Sequence, residues 1–511
     1  MSFARTFSAQ PGIPEGRLVQ VETDVSRGLH AFSIVGLPDK AVEEARDRIS
    51  SAIKHTNKDF TPPKSTNKKI VISLAPATLK KEGAVFDLPM ALSYLLAAEE
   101  VEFDPKKILF AGELSLDGSL RKIRGALSIA LVAREEDFDA IVVPMDNAPE
   151  AALVEGIEVY GANSLQDVIN HLVSSKEKRL SQFKSDLSNS SDNAHGDALL
   201  DDIRGQDHAK RALEIAASGA HNIALYGPPG TGKTMLARAL RSLLPPLTQE
   251  GIIQVTTIHS YAGISEAGPV TMPPFRSPHH TVSYAALIGG GSLPKPGEVT
   301  LAHRGILFLD EFPEFRGDCV SALREPLEDK IVSVSRVKSS QIFPANFILV
   351  AALNPCPCGF FGSRRCECPA NAIEKYRRKI SGPIADRIDM WVQVGEMPLE
   401  SLATRKEHNK KETFAARERV KRARALQQNR FRSHRGMETN SDMGAKDIET
   451  LANITEPAEI QLRTAAKAMH LSPRGYHRTI KLARTIADLA ISETIEPAHV
   501  LEALQYRSKD W

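Results

Sequence analysis

Gly227-Pro228-Pro229-Gly230-Thr231-Gly232-Lys233-Thr234 has the spacing GxxxxGK[ST]. Glycines at these places let backbone N–H groups curl around phosphate oxygens; the lysine reaches the β- and γ-phosphates and the threonine hydroxyl ligates magnesium. An apolar run, NIALY, precedes the loop and a helical pattern, MLARALRSLL, follows it. The helix N-terminus therefore adds partial positive charge where the phosphates sit. Ile306-Leu-Phe-Leu-Asp310-Glu311 places two carboxylates at the end of another apolar run. Asp310 is expected to hold Mg2+ together with Thr234, and Glu311 to polarise the attacking water. ATP and Mg2+ are thus the expected cofactors. Asn354 ends a third apolar run, FILVAALN, and either positions the same water or opens an Asn-Pro turn. Arg387, in GPIADRIDMWV, either pairs with Asp386 or Asp389 or reaches a neighbour's γ-phosphate as an arginine finger.

Cys356, Cys358, Cys366 and Cys368 form CxC-x7-CxC. Two such pairs across a short Gly-containing loop can place four thiolates around a structural zinc, with no open position for catalysis. Free thiols or a redox role are the alternatives. Five cysteines in 511 residues exclude a disulfide scaffold. His279-His280 read as loop histidines rather than ligands. From Arg405 to Arg435 twelve Lys/Arg stand against three Glu, which is either a solvated helix face or a phosphate contact. Arg336-Val-Lys338 sits in a hairpin-like run before Asn354.

The elements that must position these groups fall into segments. Residues 1–173 mix strands (LVQVETDV, HAFSIVGL, KKIVISLAP, AIVVPMDN) with buried helices (LPMALSYLLAAEE, IRGALSIALVAREE), an α+β pattern with hairpin signals at Asp117-Gly118. Residues 174–198 turn to Ser, Asn, Asp and Lys and read as a polar, flexible linker. Residues 199–395 alternate apolar strands with helices, an α/β pattern around a parallel sheet. Residues 396–511 read as helical, with Tyr476, Ile480, Ala483, Ile486 and Ala487 near one face. Lys plus Arg total 65 against 63 Asp plus Glu, a formal charge of +2. That excludes a bulk polycation, so any nucleic-acid contact must be local. No run approaches the roughly 18 apolar residues of a membrane helix, and the first residues lack a secretory h-region. A cytoplasmic protein without a membrane partner is expected.

The order of these elements resembles an AAA+ P-loop ATPase with a helical lid. More closely, the chain resembles the ComM/YifB family of magnesium-chelatase-like AAA+ proteins, through FSIVGLPDKAVEEARDRI, FDLPMALSYL, GELSLDGSLRKIRG, FRSPHHTVS, LFLDEFPEF, NPCPCG and SPRGYHR. The resemblance implies nucleotide binding at Lys233 and Thr234, with Asn354 as sensor 1. It also implies Arg387 as a finger acting in trans and Arg474 as sensor 2, although Arg474 at a helix start is equally a surface charge. It implies DNA contact at Arg336 and Lys338 and a homohexamer that branch-migrates single-stranded, forked or branched DNA in natural transformation and recombination, with recombination proteins as further candidate partners. The first segment resembles the proteolytic domain of Lon, a ribosomal S5 domain 2-like fold. It departs where Lon carries its serine (Gly83-Ala84-Val85-Phe86-Asp87 here) and its lysine (Ile123-Arg124-Gly125-Ala126-Leu127). Hydrolysis by a Ser–Lys pair needs both groups, so no peptidase activity is expected. A chelatase motor subunit, an ATP-dependent protease and a non-enzymatic scaffold are the competing functions.

Overall fold

The structure is a computed structural model that describes residues 2–173, 179–184, 199–264, 268–291, 295–336, 339–380, 382–396, 411–434 and 436–507. Most of the expected linker, 174–198, lies outside them. The chain divides into two compact units, one of Met1–Ser191 with Thr248–Thr271, the other of Asp192–Leu247 with Met272–Trp511. Residues 248–271, which the sequence places inside the ATPase core, thus pack with the first unit.

The first unit is built on a seven-stranded mixed sheet. Its strands are β1 (Ser2–Gln10), β2 (Arg17–Arg27), β3 (Ala31–Val35), β4 (Lys68–Ala75), β5 (Ile108–Phe110), β8 (Ala140–Pro144) and β9 (Glu158–Ala162), in the order β3-β4-β2-β1-β5-β8-β9. A separate small hairpin, β6 (Glu113–Leu114) with β7 (Leu120–Arg121), closes around Asp117-Gly118. In β2, Val19, Val21, Thr23 and Val25 are buried and alternate with less buried residues, the period-2 pattern of a sheet covered on one face. Strands β2 and β3 do not pair with each other across Ser26-Arg27-Gly28, because β4 lies between them. The helix Asp87–Ala97 is buried along almost its whole length. The helix Gln249–Ala262, capped by Thr248 Oγ1 accepting from the Gly251 N–H at 3.2 Å, packs on the helix Ala126–Glu135.

The second unit contains a five-stranded, all-parallel sheet in the order β11-β14-β17-β10-β18. Its strands are β10 (Ile223–Tyr226), β11 (Phe275–Arg276), β14 (Ile306–Leu309), β17 (Ile348–Leu353) and β18 (Met390–Gln393). Every residue of β14 and β17 is buried, as a sheet covered on both faces requires. Two antiparallel hairpins stand apart from it, β12 (Gly289–Gly290) with β13 (Lys295–Pro296) and β15 (Ile331–Arg336) with β16 (Ser339–Pro344).

The carboxyl-terminal part is helical, with helices Lys411–Phe431, Glu456–Ala468, Pro473–Leu489 and Pro497–Gln505. These helices share the core of the sheet: one apolar cluster joins Leu225, Leu236, Leu240 and Val350 to Val420, Ile480, Ala483 and Ile486. Part of the basic run is packed. Arg424 donates to the Ala217 carbonyl at 3.0 and 2.7 Å, Arg419 pairs with Glu214, and Arg430 pairs with Asp488 at 2.5 Å. Burial pulls the Arg424 guanidinium down to about 10. These arginines fasten the helix to the ATPase body, while Lys411, Lys421, Arg422 and Arg432 of the run are exposed. Residues 405–410 and 435 lie outside the described residues. No helix among those described is long and apolar enough to cross a membrane.

Candidate functional site

Three adjacent parallel strands, β14, β17 and β10, end at the same edge of the sheet, and each delivers polar residues there. Beyond β10 the phosphate loop runs into the helix Lys233–Leu243. A Cβ on Gly227 would meet the Val394 carbonyl oxygen at 2.1 Å, so only glycine lets the loop leave the sheet at this point. Lys233 Nζ donates to the carbonyls of Gly227 and Pro228, both at 2.8 Å, and to Asn354 Oδ1 at 3.1 Å. Burial draws the Lys233 ammonium below its ordinary value, and Asp310 opposes that shift. Thr234 Oγ1 donates to Asp310 Oδ2 at 2.9 Å. Asp310 and Glu311 follow β14, and Asn354 follows β17. Lys233, Thr234, Asp310 and Asn354 therefore converge, although the last two are far from the loop in sequence. Glu311 has a left-handed backbone (φ 52°) and donates its N–H to Asp310 Oδ1 at 3.0 Å. This conformation is costly for a residue with a Cβ and persists only where the surroundings hold it.

Arg387 and Arg474 are elsewhere. Arg387 lies just before β18, whose start is tied to the start of β10 by the Asp389 and Met390 N–H groups donating to the Asn222 carbonyl. It therefore sits at the amino-terminal edge of the sheet, and the phosphate loop at the carboxyl-terminal edge. A four-residue strand spans about 13 Å, so these groups cannot meet on one nucleotide within a chain. Arg387 pairs with Glu328 and donates to the Pro383 carbonyl at 2.5 Å. Its expected structural partners, Asp386 and Asp389, are not the ones it takes. Asp389 instead pairs with Arg478 at 3.4 Å. Arg474, in the first turn of the helix Pro473–Leu489, pairs with the other oxygen of the same Glu328. Both arginines line a cavity of about 420 Å³ with Lys330, Arg478 and Lys481. The Nε of Arg387, buried, has no partner among the described residues.

The four clustered cysteines meet. Their sulfurs all lie within 4.8 Å of one another. Sγ of Cys356 is 3.4 Å from that of Cys358 and 3.9 Å from that of Cys366, and Cys358 is 3.7 Å from Cys366. A tetrahedron with zinc–sulfur bonds of about 2.3 Å has edges of about 3.8 Å, so the four thiols fit zinc. The Phe360 N–H pulls the Cys358 thiol down to about 6, toward the thiolate that binds metal. This loop touches the nucleotide site: a Cβ on Gly359 would lie 2.6 Å from Pro229 Cδ. Sequence reasoning did not foresee that contact, because spacing says nothing about what a loop packs against.

Two further groups were missed. Glu328 carries no local signal. His280 was read as a loop histidine, yet its Nδ1 lies 3.4 Å from Glu311 Oε2. As for the DNA candidates, Arg336 ends β15 opposite Ser339, and Lys338 lies outside the described residues.

At the Lon-like positions of the first unit, Val85 and Phe86 are buried. Asp87 is held by Arg48 through bonds of 2.7 and 3.0 Å and accepts the Leu114 N–H at 3.2 Å. Ile123 exchanges two 2.9 Å hydrogen bonds with Asn147, and the Gly125 N–H donates to Ser260 Oγ at 3.0 Å. Asp87 and the backbone groups of Ile123 and Gly125 are engaged in packing, Arg124 is exposed, and no hydroxyl occupies 83–87.

Comparison with known proteins gives three family matches: "Magnesium chelatase, subunit ChlI" over 199–402, "Subunit ChlI of Mg-chelatase" over 21–147, and "Magnesium chelatase, subunit ChlI C-terminal" over 410–507. The competence protein ComM of Haemophilus influenzae is 39% identical over 513 residues, covering 99% of this chain and 98% of its own. The uncharacterized protein YifB of Escherichia coli is 37% identical over 496 residues, covering 96% and 94%. Lon protease 2 of Bacillus subtilis is 30% identical over 233 residues, 40% of this chain and 42% of its own.

Proposed function

Because the chain belongs to the ComM and YifB family of magnesium-chelatase-like AAA+ proteins, whose membership implies ATPase activity, we propose that it is an ATP-driven DNA motor. In this reading it is a homohexameric branch-migration helicase of the cytoplasm that acts in natural transformation and homologous recombination. What supports a ring is the separation of the two halves of the ATP chemistry. Lys233, Thr234, Asp310 and Asn354 converge at one edge of the sheet, while Arg387 and Arg474 gather on Glu328 at the other. A nucleotide held by one chain meets both halves only when a neighbour presents its opposite edge.

The phosphate loop and Lys233 bind the β- and γ-phosphates, and Thr234 and Asp310 hold Mg2+, which neutralises phosphate charge. Glu311 takes up the proton of the attacking water, and Asn354 orients that water. Arg387 and Arg474 of the adjoining subunit stabilise charge on the transferred phosphoryl group, each exchanging Glu328 for the phosphate. The helices after 411 act as the lid. The four cysteines hold a structural zinc. Arg336, at the end of β15, and Lys338 follow the DNA backbone without reading bases. A Lon-type peptidase lacks its nucleophile here, because residues 83–87 carry no hydroxyl.

The deciding experiment is strand exchange on three-stranded and forked DNA by the purified protein with ATP, together with ATP turnover with and without DNA. DNA-stimulated turnover and joint extension are expected, and both should fall in a chain with Arg336→Ala and Lys338→Ala. ATP turnover indifferent to every DNA form would overturn the motor assignment.

A further inference from the structure

Glu328 belongs to the short helix Arg324–Asp329 and lines the cavity of about 420 Å³. Lys330 ends that helix in a left-handed conformation (φ 57°), and its carbonyl accepts the Ala345 N–H at 2.7 Å. Five Lys and Arg side chains line the cavity against three carboxylates. Two of those carboxylates have a cation each: Asp442 pairs with Lys330, and Asp389 with Arg478. Lys481 donates to the Ser441 carbonyl at 2.9 Å. Glu328 is left to serve two guanidiniums, with one oxygen on Arg387 and the other on Arg474. The hydrogen bond from Arg387, backed by the charges of Arg387, Arg474 and Arg478, holds the Glu328 carboxyl below the ordinary carboxylate range, so the group is an anion at neutral pH.

A carboxylate brings two oxygens and one charge. That is less than these guanidiniums can take up: Nε of Arg387 and Nη1 of Arg478 are buried without a partner among the described residues. A phosphate, with more oxygens and more charge, can satisfy donors that a carboxylate leaves unmet. The two sides of the pair also differ in what separation costs. The Glu328 side chain is 42% exposed, that of Arg387 only 9%. Glu328 can turn to water. Arg387 cannot, and a buried guanidinium without an anion is strongly unfavourable. Glu328 therefore leaves only as another anion arrives.

We propose that Glu328 is a stand-in for phosphate: in the free chain it holds Arg387 and Arg474 together as one fork, and a di- or triphosphate group displaces it from both. The exchange rests on the cavity alone. That it gates ATP turnover between neighbouring chains rests additionally on the ring reading above, and the two are measured separately.

The first measurement takes the full chain with Lys233→Ala, which disables the chain's own phosphate loop, and titrates inorganic pyrophosphate by calorimetry. Adding Glu328→Gln, which keeps the shape and removes the charge, should tighten pyrophosphate binding about fivefold, the scale of a half-exposed ion pair removed as competitor. A further Arg387→Ala should abolish that gain. Glu328→Gln should also lower the melting temperature, and pyrophosphate should restore it. A lower melting temperature with pyrophosphate affinity unchanged is what a merely structural ion pair gives, and it would overturn the exchange. The second measurement is ATP turnover with Lys233 intact. Glu328→Gln should lower the KM for ATP about fivefold, with kcat not below wild type. A fall in kcat at unchanged KM would mean that Glu328 stays on the arginines through turnover, and would overturn the gate. Tighter pyrophosphate binding with unchanged ATP kinetics would leave the exchange standing, while the gate and the placing of Arg387 and Arg474 on a neighbour's ATP would fall.

Discussion

The second unit holds the candidate ATP site and the first unit the positions that resemble Lon's, and the two treat polar residues there in opposite ways. In the second unit Lys233 and Thr234 open the helix after β10, Asp310, Glu311 and Asn354 follow buried strands, and Lys233 meets Asn354 as Thr234 meets Asp310. In the first unit Asp87 is enclosed and tied to Arg48, and its neighbours Val85 and Phe86 are core. A carboxylate inside packing is spent on packing, because any proton transfer must first break a desolvated pair. A carboxylate at a strand end costs little to keep available. The position of a polar group relative to the ends of its element separates chemistry from structure better than its residue type does.

That contrast can be broken at its strongest point first. Lys233→Ala should abolish ATP turnover while the melting temperature stays near wild type, because the lysine acts on phosphates. Unfolding instead would make the phosphate loop as structural as Asp87. Arg387→Ala should retain ATP binding and lose turnover by about a thousandfold. Mixing it with Lys233→Ala chains should recover part of the activity, since one interface then joins an intact phosphate loop to an intact arginine. Absence of recovery in the mixture would place Arg387 outside its neighbour's site.

The first unit should respond in stability and not in chemistry. Asp87→Ala leaves the Arg48 guanidinium without its partner and should cost about 3 kcal/mol, read as a denaturant midpoint shift in the first unit. Neither it nor the wild type should cleave peptide under any ATP condition, and detectable Ser–Lys-type cleavage would mean that the Lon-like positions are misassigned. The cysteine loop should fall between the two behaviours. Cys356→Ser with Cys358→Ser should lose about one zinc per chain, measured by metal analysis of reduced protein. It should raise the KM for ATP by about threefold through the seat of Gly359 on Pro229, a shift of the site without loss of its groups. Unchanged ATP kinetics after proven metal loss would separate the two sites.

Much of this was legible in the chain alone. A strand–loop–helix with GxxxxGK[ST] and an apolar run ending in Asp-Glu are local patterns, and local geometry follows from local sequence. Of the helix face Tyr476, Ile480, Ala483, Ile486 and Ala487, the last four are buried as the spacing indicates and Tyr476 is half-buried. The opening strand Ser2–Gln10 went unread, since buried Thr6 and Ser8 break the apolar alternation that marks a strand. The basic run stayed open between two readings for a related reason. Charge along a helix does not say which face is packed, and long arginines cross a packed face to reach carbonyls such as that of Ala217.

The sequence by itself determined the types of the reacting groups, the phosphate loop and the four thiols, because each is set by spacing within a few residues. Tertiary structure alone decided who meets whom. Asn354 reaches Lys233 from 121 residues away, and Glu328 gathers Arg387 and Arg474 at the opposite edge of the sheet. It also decided that His280 faces Glu311 and that residues 248–271 join the first unit. These partnerships follow from strand order and register, and a parallel sheet sets its strand order by crossovers that no window of local sequence contains.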